Sequence, residues 1–207
     1  MATPKVGVIL STTREGRFGD MPSEWILGIA SQRDDLDLEI IDLRDYPLGF
    51  FGDDERTESS GAREAGRRWS ANIASLDGFI FITAEYNHGI PGVLKNALDH
   101  AYQEYHRKPA AFIGYGGVGG ARAVQQLRLI CCELQIVPLR SAVHIGMDIM
   151  GAIRAGEREL AEYDHLLTRA GEMLDELAWW TTTLRAGRRE LDAERRASVR
   201  TSATVAS

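Results

Sequence analysis

The sequence predicts a single α/β domain built on a five-stranded parallel sheet with helices on both faces. Strand-length apolar runs alternate strictly with segments of helical spacing, the pattern of successive βαβ units. The runs Lys5-Val-Gly-Val-Ile-Leu10 and Gly78-Phe-Ile-Phe-Ile-Thr83 are continuously apolar, so those strands are covered on both faces. At 207 residues the chain fits one domain whose core needs no disulfide or metal to fold.

The elements follow in order. Lys5–Leu10 is the first strand. Helical spacing runs from Met21 to Gln32, with Trp25, Ile26, Ile29 and Ala30 on one face. Leu36–Leu43 reads as the second strand, and a polar, glycine-containing stretch over Gly49–Ser60 leads to a helix carrying Ala62, Trp69, Ile73 and Leu76. Gly78–Thr83 is the third and central strand. Ile90, Val93, Leu94, Ala97, Leu98 and Ala101 recur at three- and four-residue steps, which predicts a helix over Ile90–Tyr105. Ala110–Gly114 is strand four, and a glycine-rich turn then opens a helix with Val124, Leu127, Cys131 and Leu134. Ile136–Ile145 supplies strand five. A last helix begins near Glu157, with a broad stripe through Leu160, Leu167, Leu174, Leu177 and Leu184 and a second line of Leu166, Met173 and Trp180. The domain is expected to span residues 1–186, and the polar, arginine-rich 187–207 to form a flexible tail.

Composition removes several function classes. The chain is 44% hydrophobic and 26% charged, with a net charge of −6 from 30 acidic and 24 basic residues, against the positive surface that nucleic acid requires. No apolar run reaches the length of a membrane span, and the N-terminus opens into a strand rather than a signal peptide, so a cytoplasmic protein is expected. Cys131 and Cys132 are adjacent in a helix and cannot form a C-x-x-C pair. The five histidines lack metal-site spacing, and neither a Walker A loop nor a G-x-S-x-G elbow occurs.

In a parallel sheet ligands sit beyond the carboxyl ends of the strands, which directs attention to three loops. Ser11-Thr-Thr-Arg-Glu-Gly-Arg-Phe-Gly19 brings hydroxyls, a glycine turn and two arginines to a helix start, a combination suited to phosphate. An ordinary polar turn with solvated arginines reads equally from these residues. Thr83-Ala-Glu-Tyr-Asn-His-Gly-Ile-Pro-Gly92 places an aromatic ring, an amide and accessible backbone at the mouth of the central strand, a setting for a flat polar heterocycle. Gly114-Tyr-Gly-Gly-Val-Gly-Gly120 matches G-x-G-x-x-G, but the acidic residue at the right distance, Glu133, falls inside a helix, so the dinucleotide fingerprint is rejected.

The run Glu85-Tyr-Asn-His-Gly-Ile-Pro-Gly-Val-Leu-Lys-Asn-Ala-Leu-Asp99 resembles the signature of the NADPH-dependent FMN reductase family, and Ser11-Thr-Thr-Arg14 resembles that family's loop after the first strand. Serine stands at Ser11 where the family has glycine, threonine at Thr12 where it has serine, and alanine at Ala84 where it has proline. The resemblance implies a flavodoxin-like sheet of strand order 2-1-3-4-5 and a bound FMN. It places the phosphate near Thr12, Arg14 and Gly19, with Arg17 as a further candidate. The ring would lie between Glu85, Tyr86, Asn87, His88 and Gly89 on one side and Tyr115, Gly116 and Gly117 on the other. It also implies NADPH or NADH as co-substrate, a small acceptor such as a quinone, azo or nitro compound or free flavin, and a homodimer or homotetramer. No side chain is singled out as a proton donor, in keeping with flavin-centred chemistry. A one-electron carrier and a non-enzymatic flavin-binding sensor are the alternatives on the same fold.

Overall fold

The computed structural model describes residues 2–52 and 59–205. Part of the polar stretch expected over Gly49–Ser60 and the last two positions of the expected tail lie outside these residues. Five parallel strands, β1 (Lys5–Leu10), β2 (Asp37–Asp42), β3 (Gly78–Ala84), β4 (Pro109–Tyr115) and β5 (Val137–Ile145), form one sheet in the order β2-β1-β3-β4-β5. Val8 of β1 lies between Ile40 of β2 and Ile80 of β3, which sets the register at the centre of the sheet.

Side chains leave each strand alternately to the two faces, and both faces are covered. Ile80 and Ile82 of β3 enter one core with α1 (Asp20–Ala30), α5 (Met147–Arg154) and α6 (Asp164–Val205), contacting the layer of Ile26, Met150, Met173 and Leu177. Phe79 and Phe81 enter the other with α2 (Ser60–Ser75), α3 (Gly92–Asp99) and α4 (Ala121–Glu133), where Trp69, Leu98 and Leu127 meet them. Every residue of β3 and β4 is buried, which is why those strands read as unbroken apolar runs.

Three boundaries differ from the sequence expectation. The helix after β3 ends at Asp99, and Gln103–Tyr105 forms a separate 3-10 turn. A short helix, α5, follows β5 directly, and the last helix begins at Asp164 rather than near Glu157. The backbone of α6 also continues through Gly187 to Val205. The segment after Gly187 is largely polar, but it is rich in Arg and Ala, which are strong helix formers. Arg188 of this helix ties back to the domain, donating to Asp77 (2.7 Å) and to the Arg107 carbonyl (2.7 Å). No described helix is long and apolar enough to cross a membrane.

Candidate active site

The strand order reverses between β1 and β3, and the crevice at such a switch point is where ligands bind in open α/β sheets. Three loops converge there. The first, after β1, is fastened to the neighbouring strand by the Ser11 amide, which donates to the Ile82 carbonyl (3.1 Å). The Oγ of Ser11 and the Oγ1 of Thr12 are buried in this loop without a hydrogen-bond partner among the described residues. A buried hydroxyl normally has one, so these two call for explanation.

Arg17 and Arg14, alike in the sequence, have opposite roles here. The Arg17 side chain is 3% exposed and its guanidinium is fully engaged. It donates to both carboxylate oxygens of Asp42 (2.7 and 2.5 Å), to Asp20 (2.7 Å) and to the Thr12 carbonyl (2.6 Å). The Asp42 hydrogen bond raises its pKa above the usual arginine value despite burial. Arg17 therefore ties the loop to the end of β2. The Arg14 guanidinium is exposed and forms no hydrogen bond or ion pair among the described residues, while its backbone carbonyl is held by Arg44 (2.5 Å).

The second loop turns on itself at Tyr86–Gly89. The two residues exchange backbone hydrogen bonds (3.0 and 3.1 Å), and Asn87 and His88 both have positive φ, +48° and +74°. That is the geometry of a type I′ turn, for which asparagine suits the first position and glycine usually takes the second. The turn projects Asn87 and His88 into solvent. Gln126 of α4 braces it from below by accepting from the Ile90 amide (2.7 Å).

The third loop, Gly116–Gly120, depends on glycine at its end. Gly120 has φ +69°, and a Cβ there would lie 2.5 Å from the Tyr115 nitrogen. No L side chain fits. His144 of β5 braces the loop by donating from Nδ1 to the Gly119 carbonyl (2.9 Å).

Glu85 joins the second and third loops. Its side chain is 3% exposed and turned to Arg122 in the first turn of α4. The carboxylate accepts from the Arg122 amide (3.0 Å) and Nε (2.5 Å). Burial alone would push this carboxyl up, but the Arg122 hydrogen bonds outweigh it and hold the group below the usual carboxylate range. Its own amide donates to the Tyr115 carbonyl (3.0 Å).

Between the loops lies a cavity of about 230 Å³. Of the residues expected from the sequence, Arg14, Arg17, Glu85, Tyr86, Tyr115, Gly116 and Gly117 line it. Thr12 and Gly19 are buried beside it, whereas Asn87, His88 and Gly89 form the turn outside it. Burial pushes the Tyr115 phenol up to about 12, so it keeps its proton at neutral pH. Gly16, Phe18 and Ala84 line it too, and Met147, Met150 and Arg154, all from α5, complete the lining. Sequence reasoning missed these α5 residues because the helix has only eight residues and no side-chain cap to announce it.

Two other cavities differ in character. One of about 400 Å³ opens at Thr13 and is walled by Leu43, Tyr46, Leu48, Phe50 and Val93. Another, about 600 Å³, lies at the opposite, amino edge of the sheet beside Lys108. Burial lowers the Lys108 ammonium to about 8, and it caps the end of α2 by donating to the carbonyls of Ile73 (2.7 Å) and Ala74 (3.0 Å). We regard it as structural, since ligands of such sheets bind at the carboxyl edge.

The model of the NADPH-dependent FMN reductase family matches residues 4–149, which carry all three loops. The chain belongs to this family. Among relatives of the FMN reductase family, an NAD(P)H-dependent FMN reductase of Schizosaccharomyces pombe is 34% identical over 152 residues, covering 70% of this chain and 76% of the relative. A 2-hydroxy-1,4-benzoquinone reductase of a Burkholderia species is 33% identical over 140 residues, covering 64% and 73%. Among solved structures, the flavoenzyme NAD(P)H:(acceptor) oxidoreductase FerB of Paracoccus denitrificans superposes with a TM-score of 0.68 at 22% identity, over 87% of this chain and 98% of that one. That likeness shares the flavodoxin-like fold expected from the sequence.

Proposed function

We propose that the protein is an FMN-dependent NAD(P)H oxidoreductase that reduces a small aromatic acceptor of the quinone or azo class. The observation that carries this reading is the cavity at the β1/β3 switch point, with two buried hydroxyls, Ser11 and Thr12, that lack a partner among the described residues, in the loop at its edge. These residues fit FMN. The hydroxyls and Arg14 would hold the phosphate, and Arg17 would hold the loop rather than the ligand. Tyr86 and the exposed backbone of Gly117 would border the ring, with Glu85 keeping their two loops together. When bound, FMN supplies two-electron chemistry between NAD(P)H and an acceptor. The chain contributes binding, orientation and neutral hydrogen-bond donors such as the Tyr115 phenol.

The acceptor class is supported by the Burkholderia relative and by the apolar cavity beside Thr13. That cavity carries Phe50, which is 78% exposed and adjoins exposed Phe51 and Val93. Such a patch supports a homodimer or homotetramer, and light scattering of the purified protein is expected to give two or four times the 22.9 kDa chain mass. A clean monomer would remove this part of the proposal. Its reductant and its free thiols, Cys131 and Cys132, suit the reducing cytoplasm.

An anaerobic titration of FMN-loaded protein with NADPH tests the central reading. Bleaching of the flavin absorbance with one equivalent of NADPH is expected. Flavin that binds but keeps its oxidised spectrum with both NADPH and NADH would overturn it.

A further inference from the structure

The charges around the 230 Å³ cavity do not cancel. Four of its lining residues are ionic side chains from the loops or from α5 that bear on a ligand: Arg14, Arg17, Glu85 and Arg154. Arg17 is already paired with Asp42 and Asp20, and Glu85 with Arg122. Arg14 and Arg154 remain, two exposed guanidinium groups on different elements with no carboxylate partner among the described residues.

Arg154 has only a light structural duty: as the basic residue in the last turn of α5 it complements the helix dipole, worth about 0.3–1 kcal/mol at an exposed site. Among the described residues its guanidinium interacts with the face of the Phe18 ring alone, 5.7 Å from the centroid, an interaction worth only about 0.5–1 kcal/mol at an exposed site. The end of α5 is closed without it, by the amides of Ala155 and Gly156 donating to Gly151 and Ile153 (3.0 Å each). Arg154 lies beyond residue 149, where the family match ends.

We propose that Arg154 is a binding residue for a phosphate monoester dianion held between its guanidinium and that of Arg14. The inference rests on the functional reading above and extends it. Guanidinium forks match phosphate oxygens in pairs, and a monoester carries close to two negative charges at neutral pH, which two unpaired arginines balance. Two ligands of the proposed reaction bear such a group: FMN, at the end of its ribityl chain, and NADPH, at its adenosine ribose.

The test compares the full-length wild-type protein with Arg154→Gln and Arg154→Lys. Dissociation constants for FMN and riboflavin are read from flavin fluorescence, and those for NADP⁺ and NAD⁺ by calorimetry on the FMN-loaded protein. If the flavin phosphate is the ligand, Arg154→Gln weakens FMN about tenfold or more, leaves riboflavin unchanged, and Arg154→Lys recovers part of the loss. Selective weakening of NADP⁺ over NAD⁺ instead assigns the site to the nicotinamide cofactor. Unchanged affinities in both comparisons overturn the proposal, as does an equal loss for FMN and riboflavin, which marks a merely structural residue. A wild-type protein that binds neither flavin is a different failure, and overturns the functional reading together with this extension.

Discussion

Asp42→Ala is expected to lower the unfolding free energy by roughly 3 kcal/mol at pH 7, near the low end of the cost of orphaning a buried ion. Arg17 would stay in place at 3% side-chain exposure with only the half-exposed Asp20 to balance it. The Arg44 amide, which donates to Asp42 (2.9 Å), would lose its acceptor too. The effect carries a pH signature. Burial acts to raise the Asp42 carboxyl, but the hydrogen bonds from Arg17 and the Arg44 amide prevail and hold it below its ordinary range. A carboxylate with a depressed folded-state pKa stabilises fully above its unfolded value of about 3.9 and loses that contribution as pH falls through the lower folded value. Urea unfolding of wild type and variant should therefore show a constant gap from pH 7 to pH 5 that narrows below about pH 4. A gap that stays the same down to pH 3.5 would mean the pair contributes nothing through charge.

The second large effect is on ligand affinity. Glu85→Ala removes the link between the loop after β3 and the first turn of α4, and is expected to weaken FMN binding about 10- to 100-fold. That range follows from the ~1.5–3 kcal/mol of a hydrogen bond to a charged group. Glu85→Gln keeps an acceptor for the Arg122 amide and should fall between. Arg122→Met should also weaken binding, and the double variant should be little worse than Glu85→Ala alone, because the two residues act as one unit. Flavin fluorescence titrations of the wild type and the four variants decide it. Strictly additive losses would show that Glu85 acts on the ligand independently of Arg122.

Much of this architecture was legible in the sequence, for reasons that also explain what was not. Strands β3 and β4 are buried on both faces, so their composition announced them, and the Glu85–Asp99 motif marked the loop that meets the cavity. Arg17 was not legible. Its partner Asp42 lies 25 residues away on another strand, and no local pattern distinguishes a phosphate-facing arginine from one locked in an ion pair. Glu85 posed the same problem, with Arg122 37 residues on. Arg154 went unread because α5 hides between a strand and a glycine, too short for periodicity to show. The helix after Gly187 went unread because its polarity argued for disorder while its helix propensity argued the other way.

The length of α6 bears on how the protein is best handled. Its 42 residues span about 63 Å, against about 23 Å for a seven-residue strand. Arg185 holds the Ala2 carbonyl (2.6 Å) and Arg188 reaches Asp77, both at the amino edge of the sheet, so the helix leaves the domain on that side. Both described ends of the chain, Ala2 and Val205, thus point away from the three loops. Anchoring the protein to a bead, an electrode or a fusion partner through either end leaves the carboxyl edge facing solvent, with the long helix serving as a built-in spacer.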